Sequence, residues 1–395
     1  MRKNRWLNST VWGASLTSFF SDLSHEAVTV LLPAFLAVLG APIYALGLIE
    51  GVSDGLSSFV KLLSGYFSDK LSRRKEFATA GYIATGVFPA IVAIANSWLV
   101  VLAARAFGWL GRGARGPPRD AILAKSVPRK DLGKAFGFHR AGDTLGAIAG
   151  PLVAFSLVRY LGFREIFWLT LIPGLLAVLT FWFFVKEKKE NSFRDGKPFI
   201  LSFRGFSGKY KNFIAAVSMF GMADFSHTLL ILFAVSTLTP TIGLVKATAT
   251  GILLYAIRNV VCALASYPFG ALGDKLGRRD ALAFGYALAV LTFLGFIISP
   301  ANVFVYAILF AMAGAFIAAE DVLEGAVAGE LVEEKRRALG FAVLATANGV
   351  GDFISSTAVG FLWSLFGFTI GFAYSAIVGA IGTLALIFTN NKTRK

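Results

Sequence analysis

The chain has 395 residues, of which 56% are hydrophobic and only 15% are charged, and its mean hydropathy is +0.68. Soluble domains carry about 25% charged residues, so this sequence has too little polar surface for a set of water-soluble domains. A single cysteine excludes a disulfide framework, a cysteine-ligated zinc site and an iron–sulfur cluster. The formal net charge of +15 would suit either a nucleic acid or a membrane surface, and the placement of the basic residues decides between them.

Apolar segments recur along the whole chain, and each is close to the roughly 20 residues that a helix needs to cross a bilayer. They predict an integral membrane protein with twelve transmembrane helices. The first segment is not a cleaved signal peptide, because Asp22 and Glu26 lie where a signal would be purely apolar. The predicted spans are 10–39, 43–67, 77–96, 98–124, 134–159, 163–185, 212–239, 243–269, 280–299, 301–330, 338–365 and 367–389.

The basic residues are concentrated in alternate loops of this arrangement. If the N-terminus lies in the cytoplasm, the outer loops contain only Arg159 and Arg164, and the cytoplasmic loops hold the basic clusters. This asymmetry is the positive-inside pattern of multi-pass proteins of the plasma membrane, and it places both termini in the cytoplasm. The excess positive charge then faces anionic lipid headgroups, so we expect no nucleic-acid partner.

One long hydrophilic segment divides the predicted spans into two groups of six. We expect an N-terminal six-helix bundle over 1–185, a cytoplasmic linker over 186–211 and a C-terminal six-helix bundle over 212–395. In the linker, phenylalanines alternate with basic residues, a pattern that is typical of an amphipathic stretch lying on the membrane surface. A flexible connection between the two bundles is an equally good interpretation.

The two halves carry the same motifs at a near-constant displacement. The segment 65–74 reads GYFSDKLSRR and the segment 270–279 reads GALGDKLGRR. The segment 22–25, DLSH, recurs at 224–227 as DFSH. One duplication accounts for both matches. Parallel repeats of six spans place a ligand site between two bundles, near the middle of the membrane.

These motifs resemble those of the major facilitator superfamily. The segments 65–74 and 270–279 resemble its motif A, although Ser72 replaces the glycine found at Gly277. Arg105 and the segment 111–113, GRG, are similar to motif B. Gly146, Gly150 and Pro151 resemble motif C, which in this family marks exporters that work as antiporters.

The resemblance covers essentially the whole chain. It implies an all-α membrane fold of two pseudo-symmetric six-helix bundles, a monomeric carrier and no enzymatic activity. The acidic first span together with the segment 111–120 is similar to a prokaryotic branch of the family whose members mostly lack assigned substrates.

Motif A also has a mechanical interpretation. Gly65 and Gly270 would let a neighbouring helix approach closely, and Asp69 and Asp274 could cap a helix or pair with the arginines that follow. Alternatively, the charges only hold the loops in the cytoplasm. As inner gates we predict Arg73 or Arg74 paired with Asp120, and Arg278 or Arg279 paired with Glu324. Motif C can likewise act as a bend or as a packing notch.

Ionisable residues inside the spans are the strongest functional signal, because each costs roughly 2.5–3.5 kcal/mol to insert unless it faces a partner or a wet cavity. In the resembled fold, spans 1, 4, 7 and 10 line the central cavity, and these spans hold most of the charges. As candidates for the proton carrier we favour Asp22, Glu26 and Asp224, then Asp143, while static ion pairing is the alternative role. The full cavity set is Asp22, His25, Glu26, Glu50, Asp54, Arg105, Arg112, Asp143, Asp224, His227, Arg258, Glu320 and Asp321.

The sequence therefore predicts a secondary transporter with alternating access that exports a small molecule in exchange for protons, with no other cofactor. Two alternatives remain open. Arg105, Arg112 and Arg258 could hold an anionic solute during uptake. His25 and His227, each beside carboxylates, could bind a divalent metal substrate such as iron or manganese. An enzyme is not expected, because the sequence has no nucleotide-binding loop, no His-Glu-x-x-His and no Gly-x-Ser-x-Gly.

Overall fold

The computed structural model describes residues 6–70, 73–128, 131–187, 205–333 and 337–391, and within these ranges the chain forms thirteen helices and no strand. The predicted all-helical membrane fold is confirmed. The helices are α1 (Ser9–Val38), α2 (Ile43–Lys70), α3 (Arg74–Ala93), α4 (Trp98–Lys125), α5 (Leu132–Leu157), α6 (Phe163–Phe184), α7 (Gly208–Gly221), α8 (His227–Ile242), α9 (Leu244–Leu276), α10 (Arg278–Ile298), α11 (Val303–Leu331), α12 (Arg337–Phe366) and α13 (Phe368–Asn391).

Eight of the described helices are both long and apolar enough to cross a membrane, namely α1, α3, α6 and α9 to α13. Three further predicted spans, α2, α4 and α5, have the length but carry ionisable residues along it. The seventh predicted span, 212–239, is divided between α7 and α8. The candidate functional residues lie both in these less apolar spans and in the apolar spans α1, α9 and α11.

The chain folds into two compact units. The first lies within Met1–Ala41 and Leu56–Asp195, and the second within Pro42–Gly55 and Gly196–Lys395. The first turns of α2 thus pack with the second unit, a feature that the predicted boundaries at 185 and 212 do not include. Most of the predicted linker, 188–204, lies outside the described residues.

The first unit is built on contacts of α1 with α5 and α6, and of α3 with α4 and α6. Its apolar core contains Val11 of α1, Tyr82 of α3, Leu123 of α4 and Phe181 of α6, all of which are buried. In the second unit, α11 packs on α9 and α10, while α13 packs on α10 and α7. Large aromatic side chains such as Phe372 fill the space between these helices.

The break between α7 and α8 is held open by serines from α12. Ser355 Oγ donates to the carbonyl of Asp224 at 2.7 Å, and the backbone N–H of Ser226 donates to Ser356 Oγ at 2.9 Å. Inside a membrane, backbone groups freed from a helix need such partners. The matching segment 22–25 in the first half stays helical within α1. The duplicated motif therefore takes two different backbone conformations.

Candidate functional site

The buried charges of the first unit meet where α1, α4 and α5 pack together. Asp22 of α1 is only 6% exposed, and its Oδ1 lies 3.6 Å from Nη2 of Arg115 on α4. Arg115 also donates to the hydroxyl of Ser21 and, at 3.1 Å, to that of Thr85 on α3. An arginine one turn beyond the predicted Arg112 is thus the direct partner of Asp22.

A second carboxyl group stands beside this ion pair. Asp143 of α5 lies one turn before Gly146, where an added Cβ would be 3.1 Å from Asp22 Cβ, so the Asp143 side chain is close to Asp22. Asp143 also accepts a hydrogen bond from Arg140 at 3.0 Å, one turn earlier in α5. Two neighbouring carboxylates repel each other, and a proton shared between them would remove that repulsion. The first unit therefore brings together Asp22 and Asp143, two of the predicted candidates for the proton carrier.

The buried His25 side chain makes its polar contacts within its own helix, α1. Its Nδ1 donates to the carbonyl of Ser21 at 2.9 Å, and its Nε2 lies 3.3 Å from Oε1 of Glu26. The ring also meets Trp109 of α4 edge-on, with 5.7 Å between centroids. The histidine thus links Glu26 to the α1–α4 contact.

Arg105 and Arg112 share one aromatic partner in α4. The Arg105 guanidinium carbon lies 3.4 Å from the centroid of Trp109, and that of Arg112 lies 5.3 Å from it. Arg105 is completely buried and donates to Thr29 Oγ1 at 2.8 Å. Such cation–π contacts replace part of the hydration that a buried guanidinium loses. Arg105 therefore joins α4 to α1, whereas Arg112 keeps partial exposure.

The glycines of motif C form the contact surface of α5 against the acidic part of α1. A Cβ atom at Gly146 would lie 3.1 Å from Asp22 Cβ, and one at Gly150 would lie 2.9 Å from Glu26 Cβ. Pro151 follows in the same buried stretch of α5. Of the two predicted roles, this geometry supports the packing notch, and the notch lies directly against the two candidate proton carriers.

The second unit places its carboxylates around the α7–α8 break. The Asp224 carboxyl lies beside that of Glu320 on α11. One oxygen of Glu320 is buried without a hydrogen bond among the described residues. Asp321, the next residue, is exposed. Asp224 and Glu320 thus lie close together in the second unit, and the exposed Asp321 is near enough to act on both electrostatically.

Glu324 has partners that the sequence did not indicate. It is only 3% exposed, and it accepts hydrogen bonds from the Tyr286 hydroxyl on α10 and, at 2.7 Å, from Asn348 Nδ2 on α12. Both carboxylate oxygens are thereby engaged. The predicted pairing of Glu324 with Arg278 or Arg279 is not present in this structure.

Glu50 and His227 belong to the second unit, and both lie near the start of α8. Ser226 Oγ donates to Oε2 of the buried Glu50 at 3.3 Å. The His227 ring stacks on Tyr255 of α9 with centroids 4.8 Å apart, and the guanidinium of Arg258 lies 5.8 Å from the same tyrosine ring. Asp54, one turn after Glu50, is half-buried. These residues form a polar group around the break rather than a set of isolated charges.

Gly65 and Gly270 of motif A do not have the close helix contacts that were predicted for them. A Cβ at Gly65 would be 3.5 Å from Pro117, and one at Gly270 would be 3.5 Å from Val322, which are ordinary contact distances. The expected close helix approach is therefore absent there. Gly277, in contrast, has φ +99° between α9 and α10, a conformation that favours glycine.

The gate pairs predicted from motif A are replaced by other pairs. Asp120 accepts from its neighbour Arg119 at 2.9 Å instead of from Arg73 or Arg74. In the second unit, Arg278 bridges Asp274 at 3.2 Å and Glu330 of α11 at 2.8 Å. Sequence reasoning missed Glu330, since its position in the repeat gives no sign of this partner.

The remaining motif A residues have varied surroundings. Arg73 is exposed, Arg279 is half-buried, and the backbone N–H of Arg74 donates to Glu187 at 3.2 Å. The Asp69 side chain lies outside the described residues. Among the side chains that are described, no group of three His, Cys, Asp or Glu residues is arranged to hold a metal ion, so neither His25 nor His227 belongs to such a group.

The sequence signature of the Major Facilitator Superfamily matches residues 14–257 and 219–395. This chain belongs to the major facilitator superfamily. Superfamily relatives include an uncharacterised MFS-type transporter of Methanocaldococcus jannaschii, 31% identical over 389 residues that cover 98% of this chain and 96% of the relative. The multidrug resistance protein MdtG of Proteus mirabilis is 26% identical over 305 residues, which cover 73% of each chain.

Solved structures of superfamily-like transporters have the same fold. A bacterial homologue of the human lysosomal transporter Spinster matches with a TM-score of 0.78 and 14% identity, covering 96% of both chains. The nucleoside transporter NupG matches with a TM-score of 0.80 and 12% identity, covering 96% of this chain and 98% of its own. The protein is therefore a multi-pass membrane transporter of this superfamily and not an enzyme.

Proposed function

We propose that this superfamily member exports a small molecule in exchange for protons. The observation that carries the proposal is the group formed by Asp22, Asp143 and Arg115, because it combines two neighbouring carboxyl groups with an ion pair between α1 and α4. When a proton occupies the carboxyl pair, the attraction of Asp22 for Arg115 weakens. When the proton leaves, the ion pair at 3.6 Å is restored.

This change in pairing can alter the contact between α1 and α5. Gly146 and Gly150 bring α5 so close that the Cβ atoms of Asp22 and Glu26 lie against its backbone. The two helices are tightly packed at this point. A shift of the Asp22 side chain would therefore displace α5 relative to α1. In an alternating-access carrier, a proton at this contact would favour one arrangement of the helices over the other.

The direction of transport is proposed from two features. Motif C, which resembles that of exporters, lies against Asp22 and Glu26, and a relative that aligns with most of this chain is named a multidrug resistance protein. Arg105, one of the three arginines considered for anion uptake, is completely buried and bonded to Thr29, so it is poorly placed to receive a solute. Export is therefore the better-supported direction.

We also propose that the protein acts as a monomer in the plasma membrane with both termini in the cytoplasm. The asymmetric distribution of Lys and Arg supports this orientation. A Cys262→Ser background carrying Lys395→Cys allows a membrane-impermeant thiol reagent to report the side of the C-terminus. Labelling in everted vesicles but not in intact cells is expected, and the reverse pattern would contradict the orientation. Size measurement in detergent tests the monomer.

Purified protein reconstituted into vesicles tests the coupling. A panel of small cationic, neutral and anionic solutes is followed with and without an imposed pH gradient, for the wild type and for Asp22→Asn and Asp143→Asn. Glu165→Gln is the matched control, because Glu165 is an exposed carboxylate in the first turn of α6.

We expect a proton gradient to drive accumulation of at least one solute against its own gradient in the wild type and in the control. Both aspartate variants are expected to lose this accumulation. Gradient-driven flux that survives in both variants would overturn the role of the carboxyl pair. Flux only in the opposite direction would overturn export while leaving the transporter assignment intact.

A further inference from the structure

His139 of α5 is a buried histidine outside the group formed by Asp22, Asp143 and Arg115. Its side chain is buried, and its Nε2 lies 2.8 Å from the hydroxyl oxygen of Ser18 on α1, which is buried as well. A polar group in such surroundings needs a hydrogen-bond partner, and each of these two side chains supplies one for the other. The contact therefore joins α1 to α5 through two groups that can both exchange a proton.

The contact between His139 and Ser18 lies one helical turn before the candidate proton carriers on both helices. Ser18 precedes Asp22 by four residues in α1, and His139 precedes Asp143 by four residues in α5. Residues four apart lie on the same face of a helix, and their side chains lean toward its N-terminus. The side chains of Asp22 and Asp143 therefore lean back toward the level of Ser18 and His139.

The same contact lies between those carboxyl groups and the end of the first unit at which α5 begins. His139 is two turns from the start of α5 at Leu132, about 10 Å along the helix axis. On α4, Arg119 Nη1 lies 3.5 Å from Ser18 Oγ. Arg119 also bonds to Asp120, whose side chain is 45% exposed. In the proposed orientation this end faces the cytoplasm, so polar groups lead from exposed Asp120 to His139.

Four charged residues are near enough to act electrostatically on the His139 ring, while α1 contributes the neutral Ser18 hydroxyl. They are Arg119 and Asp120 of α4 and Arg140 and Asp143 of α5. A cation such as Arg119 beside the ring disfavours a lasting imidazolium. Asp143, one turn further along α5, can accept a proton from it. The ring is therefore placed to pass a proton on instead of storing it.

We infer that His139 relays protons between the cytoplasm and the carboxyl groups of Asp22 and Asp143, an inference that rests on the proposed proton coupling. A neutral imidazole has one nitrogen that donates and one that accepts. A proton from the cytoplasmic side adds to the accepting nitrogen. The proton on the other nitrogen passes to the Asp143 carboxylate, directly or through one water, and forms a carboxyl group. The ring starts and ends neutral, and the reverse sequence returns the proton.

Vesicles that contain the full-length protein and a trapped pH indicator test the relay. The initial rate of proton movement is recorded while a solute identified from the panel crosses the membrane, and exchange of labelled for unlabelled solute is measured in parallel. The variants are His139→Gln, whose amide can keep the bond to Ser18, and His139→Ala with and without imidazole on both sides. The control is Ser156→Ala, because Ser156 is an exposed serine of the same helix that bonds to the carbonyl of Leu152.

We expect His139→Gln to slow proton movement about tenfold or more, while solute exchange keeps the wild-type rate. Imidazole should speed up proton movement in His139→Ala relative to the other proteins, because only the alanine variant has room for it. Ser156→Ala should behave as the wild type. An unchanged proton rate in His139→Gln would overturn the relay, and so would a joint loss of proton movement and exchange that imidazole does not restore. A wild type that moves no protons would instead overturn the proposed coupling, and the relay with it.

Discussion

The contact between motif C and α1 gives a prediction with a built-in control. We expect Gly150→Ala to strain the α1–α5 interface, because the added Cβ would lie 2.9 Å from Glu26 Cβ and 3.0 Å from the Ala27 nitrogen. Ordinary contacts of this kind begin near 3.4 Å, so the two helices have to move apart. Overpacking of this kind costs about 1–3 kcal/mol.

The control is Gly137→Ala in the same helix, where an added Cβ meets nothing within 4 Å. Both substitutions gain up to about 1 kcal/mol of helix propensity, so this term cancels in the comparison. We therefore expect Gly150→Ala to be less stable than Gly137→Ala by about 1–3 kcal/mol. Unfolding of both purified variants by SDS in mixed micelles measures the difference.

Equal stability of the two alanine variants would refute the close α1–α5 contact. Proton-driven flux supplies a second readout, since displacement of α1 from α5 also moves Asp22, whose Cβ lies against Gly146, relative to Asp143 of α5. Gly150→Ala should therefore transport more slowly than Gly137→Ala. Full activity with reduced stability would mean that the notch serves packing alone.

Three further predictions concern the second unit. Tyr286→Phe should destabilise the protein by about 1–3 kcal/mol, because the buried Glu324 carboxyl group loses one of its two hydrogen-bond donors; no change in SDS unfolding would argue against that hydrogen bond. Gly277→Ala should cost about 1–3 kcal/mol by the same assay, because its φ of +99° strains an L-residue, and a neutral effect would contradict this turn geometry. A double-mutant cycle on Arg278→Ala and Glu330→Ala should give a coupling of about 0.2–1 kcal/mol that falls in high salt, and zero coupling at low salt would remove the bridge.

The fold was predictable from sequence because its main determinants are local. Apolar segments of spanning length and the duplicated motif A segments specify helices and a repeat without knowledge of any distant contact. The break at Asp224 was not predictable in this way. It depends on Ser355 and Ser356, which are remote in sequence and supply the hydrogen bonds that the interrupted helix lacks.

The sequence predicted which residues belong to the candidate site better than it predicted which side chains contact each other. The cost of burying charge singled out Asp22, Asp143 and Asp224, and the repeat singled out Glu324. Their partners follow from side-chain geometry, which spacing along a helix does not determine. Arg115 pairs with Asp22, and the Tyr286 hydroxyl, instead of the predicted Arg278 or Arg279, faces Glu324. Neutral partners of this kind leave no charge pattern in a sequence.

Proton movement during substrate transport tests the central claim most directly. A pH indicator trapped in vesicles records protons while a transported solute identified from the panel crosses the membrane. We predict that protons move opposite to the solute in the wild type. In Asp22→Asn, we predict that proton movement stops while exchange of labelled for unlabelled solute continues. Proton movement that is unchanged in this variant, or solute flux without any proton flux in the wild type, would contradict the account.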